Sequence, residues 1–506
     1  MDSFRLNSRP SQFATGVVVY FNSPVFLYLF LPAVLLIYHG VPAALNLRGH
    51  AQVSFTNAFL FLASLFFYAW GEFAYVLVLF ASLVLNYGFA RAAEWLQGRN
   101  MSTLPLAVVA VLLNLALLIW YKYAGFLAAT LATVPSSFGL PEVSIPTVHL
   151  PIGISFFTFQ AISYIIDVCR KDVPTERSFL KFGLYVFLFP HLIAGPIVRY
   201  RDIAGQLSVR PVGIERFAVG VRRLGIGLAK KLLLADTFAE AADAAFGTKE
   251  FLVSADELTM AAAWLGLLCY GLQIYFDFSG YSDMAIGLGK MFGFDFLENF
   301  RYPYIAQSIT EFWRRWHISL SSWFRDYVYV PLGGNRQGTM RTYVNLLIVF
   351  VLCGIWHGAN WTFLFWGLYH GVFLILERLG LGAMIALLPR PFRHGYLLLS
   401  VGLGWVLFRA TDVGQVQGMF RALGRFEGGT QEFSDVWNPK LALALPCGLL
   451  ACTPIVPALK TILDRRGYWW NGLAGFWGSL GIAVCYLGAS MQLAAKTYSP
   501  FIYFRF

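Results

Sequence analysis

The chain has 506 residues, of which 58% are hydrophobic and only 13% are charged. A soluble domain carries about 25% charged residues, so this composition excludes an ordinary water-soluble protein and indicates a membrane protein. The net charge of +11 does not point to nucleic acid, because no recognition module is present and basic loops can bind the anionic headgroups of membrane lipids.

Residues 1–23 begin with polar residues and lack a clear signal-peptide cleavage site. We interpret them as an N-terminal segment whose first sixteen or so residues are either disordered or an artefact of the choice of start codon. Residues 24–506 contain no repeat of fixed period and no low-complexity tract. They therefore predict a single membrane domain.

About 20 mostly apolar residues cross a bilayer, and the sequence predicts about eleven such spans, give or take two. Thr342–Leu376 runs 35 residues without a formal charge and predicts two spans joined at a break over Gly358–Trp361. Pro and Gly interrupt Leu150–Ile166 and Phe179–Val198, which favours kinked or re-entrant elements. The other predicted spans are Pro24–Leu45, Ser54–Gly71, Phe73–Ala90, Leu104–Trp120, Leu258–Phe276, Tyr396–Phe408, Leu441–Leu463 and Gly467–Ala495.

Basic residues in the first loops predict the orientation. Arg48 lies between the first two predicted spans, and Arg91 and Arg99 lie between the third and fourth. Cytoplasmic loops carry an excess of Lys and Arg. We therefore expect the amino terminus outside and the loop with Arg91 and Arg99 in the cytoplasm.

The segment Arg199–Lys231 is unlike a span, because it carries eight Lys or Arg residues against two acidic ones, interleaved with apolar side chains. This pattern predicts a helix that lies along the cytoplasmic interface of the membrane.

The segment Arg301–Tyr329 mixes aromatic and charged residues, and we expect it to lie at the interface or to line a cavity. Five of its side chains follow i, i+3 and i+4 spacing, so they would share one face of a helix. They are Trp313, Trp316, His317, Leu320 and Phe324.

His357 is the leading catalytic candidate. It lies in the middle of the uncharged 35-residue run, and an ionisable side chain at membrane depth is costly enough to suggest a function. The alternative is a neutral imidazole that forms hydrogen bonds between helices. The break that follows at Gly358 favours a functional role, since irregular backbone at this depth is tolerated where it lines a cavity.

His317 lies 40 residues before His357 and is the second candidate. Two histidines can divide the work of acyl transfer: one takes a proton from the acceptor hydroxyl, and the other orients the donor. The spacing of the two residues does not establish that they meet in space.

Four other polar residues have structural interpretations. We interpret His370 as structural, and His191, flanked by prolines and glycines, as part of a re-entrant or kinked element. Asp277 and Asp283, expected at the end of a span, are equally compatible with a function and with capping a short turn.

The sequence gives little support for a hydrolase, nucleotide-binding, metal or disulfide site. It contains no G-x-S-x-G elbow, no Walker loop and no H-E-x-x-H motif, and its six cysteines form no C-x-x-C pair. We predict neither a metal site nor a disulfide framework. A proton-coupled transporter remains an alternative, because many spans, broken helices and a midplane histidine suit one.

Three motifs together resemble the membrane-bound O-acyltransferase superfamily, and within it the bacterial members that acetylate polysaccharides. These motifs are Phe312-Trp-Arg-Arg-Trp-His-Ile-Ser-Leu-Ser321, Trp323-Phe-Arg-Asp-Tyr-Val-Tyr329 and Gly354-Ile-Trp-His-Gly-Ala-Asn360. Support comes from Leu150–Ser155, Ser163–Asp167, Phe189–Val198, Tyr275–Gly289 and Ser499–Phe506. The resemblance begins near Val18 and covers nearly the whole chain.

The resemblance implies an all-α polytopic fold with re-entrant and interfacial helices around a central funnel or tunnel. His357 matches the family's catalytic histidine, and His317 matches its second polar position, which is Asn or Asp in several eukaryotic members. We further expect four neighbouring side chains to bind substrate. These are Trp313, Trp316, Trp356 and Asn360.

The implied reaction moves an acetyl group from a cytoplasmic donor, acetyl-CoA, through the bacterial inner membrane to an exopolysaccharide such as alginate. Periplasmic acetyltransferases are the implied partners, and no bound cofactor is expected. Two alternatives stay open at this point: transfer of D-alanine or another acyl group to a cell-wall polymer, and the proton-coupled transporter.

Overall fold

The computed structural model of the protein describes residues 20–137, 148–247, 257–465, 468–495 and residue 501. Most of the predicted N-terminal segment lies outside these residues, but its last four residues, 20–23, are described and buried. Of the terminal motif Ser499–Phe506, only Phe501 is described.

The described chain is helical throughout apart from turns and one isolated bridge between Leu258 and Gln431. This is expected for a chain in lipid, where helices satisfy their own backbone hydrogen bonds. Up to residue 246 the helices are Phe26–Ala44, Gly49–Glu72, Val76–Gly98, Leu104–Leu118, Ala124–Ser137, Ile154–Cys169, Phe179–Phe187, Phe189–Leu192, Tyr200–Ile203, Ile214–Ala229 and Asp236–Phe246. Those that follow are Met260–Met291, Ile309–Trp313, Ile318–Phe324, Thr339–His357, Trp361–Leu376, Gly382–Leu387, Arg390–Arg409, Val413–Gly424, Phe433–Val436, Pro439–Ala451, Ile455–Asp464 and Tyr468–Ala495.

Seven stretches in the described residues are long and apolar enough to cross a membrane. An eighth results if Pro439–Ala451 and Ile455–Leu463, which meet at a bend of 63°, form one span. The prediction of an all-α polytopic membrane protein is confirmed, whereas the count of eleven is not. The seven stretches are Phe26–Ala44, Gly49–Gly98, Leu104–Leu131, Met260–Met291, Thr339–His357, Trp361–Leu387 and Gly475–Ala495.

Two features account for much of the difference in number. The stretch Gly49–Gly98 contains two helices of 24 and 23 residues, each long enough for one span. The predicted spans Leu150–Ile166 and Phe179–Val198 instead form shorter helices. The first is Ile154–Cys169, with 16 residues, and the second breaks at Leu188 into two short helices and a buried turn.

The helix Met260–Met291 occupies the centre of the fold, and 78% of an apolar 18-residue stretch within it is buried. The basic helix Ile214–Ala229, which forms within the predicted interfacial segment, packs tightly against it through glycines. A Cβ on Gly227 would lie 2.5 Å from the carbonyl oxygen of Gly280, so only glycine permits this approach.

Buried ion pairs reinforce this contact. Lys231 lies 2.6 Å from Asp277, and Asp283 lies 2.7 Å from both Arg223 and Lys230. The capping interpretation of the two aspartates was therefore wrong, because the helix continues past both of them and their carboxylates pair with the basic segment.

The aromatic segment Arg301–Tyr329 does not form the single helix that its apolar face would need. Helix Ile309–Trp313 ends, and a new helix begins at Ile318 after His317 adopts the left-handed conformation, φ 45°. A left-handed residue cannot continue a right-handed helix, so the histidine lies at a corner of the chain.

The helices Thr339–His357 and Trp361–Leu376 pack through glycines close to His357. A Cβ on Gly354 would lie 2.3 Å from the carbonyl oxygen of Phe363 and 3.2 Å from Cα of Gly367. The two backbones are therefore in direct contact, and the pair forms a rigid support for His357.

We predict that Gly354→Ala forces these helices apart and lowers the free energy of unfolding by about 1–3 kcal/mol. Gly402→Ala is the matched control, because it also lies inside a helix but a Cβ there meets nothing within 4 Å. The control should be neutral or slightly stabilising. Thermal unfolding of the detergent-purified variants measures both, and equal melting temperatures would contradict the packing argument.

Candidate active site

His357 is the last residue of the helix Thr339–His357 and is 7% exposed. The chain continues through Gly358 in an extended conformation, φ −163°. A Cβ on Gly358 would lie 2.2 Å from the ring of Phe363, so the break requires glycine. The predicted interruption of the long apolar run is confirmed, and it ends the helix at the candidate histidine.

Aromatic rings surround the imidazole of His357. Its centroid lies 5.1 Å from that of Trp356, 5.0 Å from that of Trp366 and 5.2 Å from that of Phe408. These rings come from three helices, so the site exists only in the folded bundle. They also exclude water from the imidazole.

His317 is completely buried, and its Nδ1 lies 3.1 Å from Oδ1 of Asn299. That oxygen also accepts a hydrogen bond from the backbone N–H of Ser319, at 3.1 Å. A carbonyl oxygen can only accept, so His317 donates from Nδ1 and, as a neutral ring, carries its lone pair on Nε2. Nε2 has no hydrogen-bond partner among the described residues and is available as an acceptor.

Asn299 fixes the left-handed corner that presents His317. Its backbone oxygen accepts the N–H of Ile318 at 2.9 Å, and its Oδ1 also accepts the hydroxyl of Ser319 at 2.9 Å. The same hydroxyl oxygen accepts the N–H of Ile197 at 3.0 Å. His317 is thereby joined to the buried turn after the helix Phe189–Leu192.

The structure places both candidate histidines next to one indole ring, that of Trp356. The ring centroid of Trp356 lies 6.2 Å from that of His317 and 5.1 Å from that of His357. Two residues that are 40 positions apart in the sequence thus belong to one buried cluster. Two histidines must lie close together if one is to take the acceptor's proton while the other orients the donor.

Trp313 and Trp316 lie further from His357. Trp313 contacts Trp366 at 5.6 Å between centroids, and Trp366 contacts His357. Trp316 contacts Trp405 at 5.1 Å. Both residues belong to the aromatic cluster behind the site, and their contact with substrate stays a prediction.

Asn360 is engaged with the backbone. Its Oδ1 accepts the N–H of Thr362 at 3.2 Å, which caps the helix that starts at Trp361, and its Nδ2 donates to the carbonyl oxygen of Thr411. The position has a clear capping role. Its predicted contact with substrate is untested.

His191 and His370 are both completely buried. His191 accepts at Nδ1 a hydrogen bond from Nε2 of Gln160, at 2.9 Å. His370 contacts the rings of Trp313 and Trp366, each at 5.1 Å, and belongs to the layer behind His357. Neither has a ring contact with His357 or His317 among the contacts of the described residues.

The sequence reasoning missed Asn299 and Ser319, which hold His317 in place. It also missed Lys122, whose ammonium donates to the backbone carbonyl oxygens of Trp356 and His357. Ser319 lies inside one of the motifs, two residues after His317, but a serine there has no distinguishing pattern. Asn299 precedes the aromatic segment and carries no signal in a single sequence. Lys122 could have been found, because it is the only charged residue between Leu104 and Ser137.

Comparisons with known proteins identify the family of the chain. A model of the membrane-bound O-acyltransferase family matches residues 170–408, which include His317 and His357. The chain is 40% identical to the probable alginate O-acetylase of Pseudomonas putida over 96% of this chain and 100% of the relative.

Two more distant relatives are also transferases. The peptidoglycan O-acetyltransferase of Helicobacter pylori is 36% identical over 78% of each chain. The teichoic acid D-alanyltransferase of Bacillus subtilis is 27% identical over 50% of this chain and 67% of its own. With a buried histidine pair in a polytopic helical fold and a full-length relative at 40% identity, this protein is an acyltransferase and belongs to the membrane-bound O-acyltransferase family.

Proposed function

We propose that this acyltransferase takes acetyl groups from cytoplasmic acetyl-CoA and passes them across the bacterial inner membrane for O-acetylation of an exopolysaccharide such as alginate. Periplasmic acetyltransferases are the proposed partners that receive the acetyl group or deliver it to the polymer. His357 and His317 form the proposed catalytic pair.

One observation carries the catalytic part of the proposal. Nδ1 of His317 donates to Asn299, and Nε2 is available as an acceptor. The ring of Trp356 lies next to both imidazoles, that of His317 and that of His357. The arrangement is buried, so a thioester bound there is protected from hydrolysis by water.

The two histidines receive different roles from this geometry. We assign removal of the proton from the acceptor hydroxyl to His357. The hydroxyl oxygen then attacks the thioester carbonyl carbon, the carbon–sulfur bond breaks, and the thiolate of CoA takes up a proton. The neutral ring of His317 has an acceptor at Nε2, so it holds an O–H or N–H group of a substrate; to polarise the carbonyl it would first have to be protonated.

The acetylated polymer is the part of the proposal that rests on the relatives. The alginate O-acetylase matches the chain over nearly its whole length, whereas the D-alanyltransferase matches half of it at lower identity. This difference favours acetyl over D-alanyl transfer. Assays with acetyl-CoA and with a D-alanyl carrier-protein thioester, run in parallel on the purified protein, compare the two donors directly.

His357→Ala should reduce release of free CoA from acetyl-CoA by a factor of about 10² to 10⁴, the usual contribution of a positioned acid or base. The assay uses detergent-purified protein with an acceptor hydroxyl present, and gel filtration checks folding. His370→Ala is the matched control: it removes another fully buried imidazole in contact with Trp366 and should retain transfer per folded molecule.

Full transfer by His357→Ala would refute the catalytic assignment. If the wild-type protein consumed no acyl donor but dissipated an ion gradient in vesicles, the transporter alternative would replace the proposal.

Asn299→Ala should lower both stability and transfer, because it leaves the buried Nδ1–H of His317 without its acceptor, at a cost of about 1–3 kcal/mol. Asn299→Asp keeps the oxygen and should retain more activity. Asn345→Ala is the control, since Asn345 is also buried and donates to the carbonyl oxygens of Leu332 and Gly334. Transfer rates per folded molecule, compared with melting temperatures, separate the two effects; equal rate losses in both alanine variants would contradict the role of Asn299.

A further inference from the structure

We propose that Lys122, assisted by Tyr123, is a positioning residue that fixes the end of the helix carrying His357. The inference rests on the proposed role of His357 and adds a residue from a distant part of the chain. The contacts of Lys122 with this helix end are to the backbone, at the carbonyl oxygens of Trp356 and His357.

The end of this helix has an unusual need for partners. The last four carbonyl groups of any helix lack intrahelical donors, and a left-handed glycine commonly closes the end by supplying N–H groups. Gly358 is extended instead, with φ −163°, so it provides no such closure. In a membrane no water is available to satisfy these carbonyl groups, and leaving them without a donor is costly.

Lys122 and Tyr123 supply the missing donors. The hydroxyl of Tyr123 donates to the carbonyl oxygen of Ile355 at 2.8 Å. The ammonium of Lys122 donates to the carbonyl oxygen of Trp356 and, at 3.3 Å, to that of His357. Two adjacent residues of one helix thus bind three successive carbonyls at the end of another.

The third N–H of the ammonium also has a protein acceptor, because Oγ of Ser155 lies 3.5 Å from Nζ. A lysine ammonium has three donors, and all three are used within the protein. No carboxylate within ion-pair distance of Lys122 occurs among the described residues. The cation is therefore built into the backbone support and is not presented to a substrate.

The charge itself suits this place. A cation at the carboxyl end of a helix interacts favourably with the helix dipole. Nζ also lies 5.7 Å from the centroid of the Trp356 ring, the indole that contacts both candidate histidines. We therefore expect loss of the ammonium to affect the backbone of His357 and the Trp356 ring together.

The local structure around Lys122 matches this task. Residues Ile119–Tyr123 form a π-helical turn between the α-helices Leu104–Leu118 and Ala124–Ser137. Such single-turn insertions occur frequently at functional sites. In a regular helix, neighbouring side chains point about 100° apart. Lys122 and Tyr123 are neighbours in the π-helical turn, yet both contact the same helix end.

The test compares three variants in the detergent-solubilised full-length protein. Lys122→Met removes the ammonium with little change in side-chain length, Lys122→Arg keeps a cation with N–H donors, and Tyr123→Phe is the matched control that removes one hydroxyl from the same support. A displacement of about 1 Å at a catalytic group can cost about 10²-fold in rate. We expect kcat for acetyl transfer to fall by about that factor in Lys122→Met, with KM for acetyl-CoA nearly unchanged.

Lys122→Arg should recover much of this loss, and Tyr123→Phe should lose less than Lys122→Met, because it frees only one of the three carbonyls. A second readout does not depend on turnover. Diethyl pyrocarbonate modifies accessible imidazoles, and peptide mass spectrometry measures the rate at each histidine. The rate at His357 should change in Lys122→Met, while that at the exposed His50 stays constant.

A Lys122→Met protein with wild-type kcat per folded molecule and an unchanged modification rate at His357 would overturn the inference. A lower melting temperature with unchanged kcat would also overturn it, since the lysine would then be only structural. If Lys122→Met does not fold, Lys122→Gln keeps two N–H donors and faces the same criteria. Full transfer by His357→Ala refutes the proposed catalytic role of His357 instead. The modification rate at His357 then still tests whether Lys122 positions this residue.

Discussion

A helix that stops inside a membrane must satisfy its terminal backbone groups without water, and this constraint governs the centre of the protein. The helix that begins at Thr339 stops at His357, and the next helix begins at Trp361. Asn360 caps the helix that begins at Trp361. The helix that ends at His357 depends on donors from Lys122 and Tyr123. In this fold Lys122 and Tyr123 are the donors that reach this end, and they hold the break and with it the position of His357.

The second histidine depends on a comparable arrangement of polar groups. A left-handed conformation is uncommon for a residue other than glycine, and His317 is held in it by the bonds that Asn299 makes to the three residues 317–319. The same asparagine selects the tautomer of the ring. One buried amide thus determines both where His317 points and which nitrogen can accept a hydrogen bond.

Close backbone contacts support both histidines. Gly354 and Gly367 bring the helices on either side of the break together, and Gly227 and Gly280 do the same for the basic helix and the central helix. In lipid, helix association depends on such packing and on polar contacts, because burial of apolar side chains yields little there. The buried pair of Lys231 and Asp277 is a polar contact of this kind, and the aromatic layer that contains His317 packs on the same central helix at Phe278.

The sequence by itself determined the membrane class, the helical fold, the break after His357 and the pair of candidate histidines, because these follow from hydrophobic length, a lone ionisable residue at depth and local motifs. It did not determine the number of spans, since a broken or buried helix has the same composition as a crossing one. The tertiary structure alone decided the corner at His317, the ion pairs of Asp277 and Asp283, and the roles of Asn299 and Lys122. These depend on partners far away in the chain, and hydrogen bonds between distant residues leave no periodic pattern in one sequence.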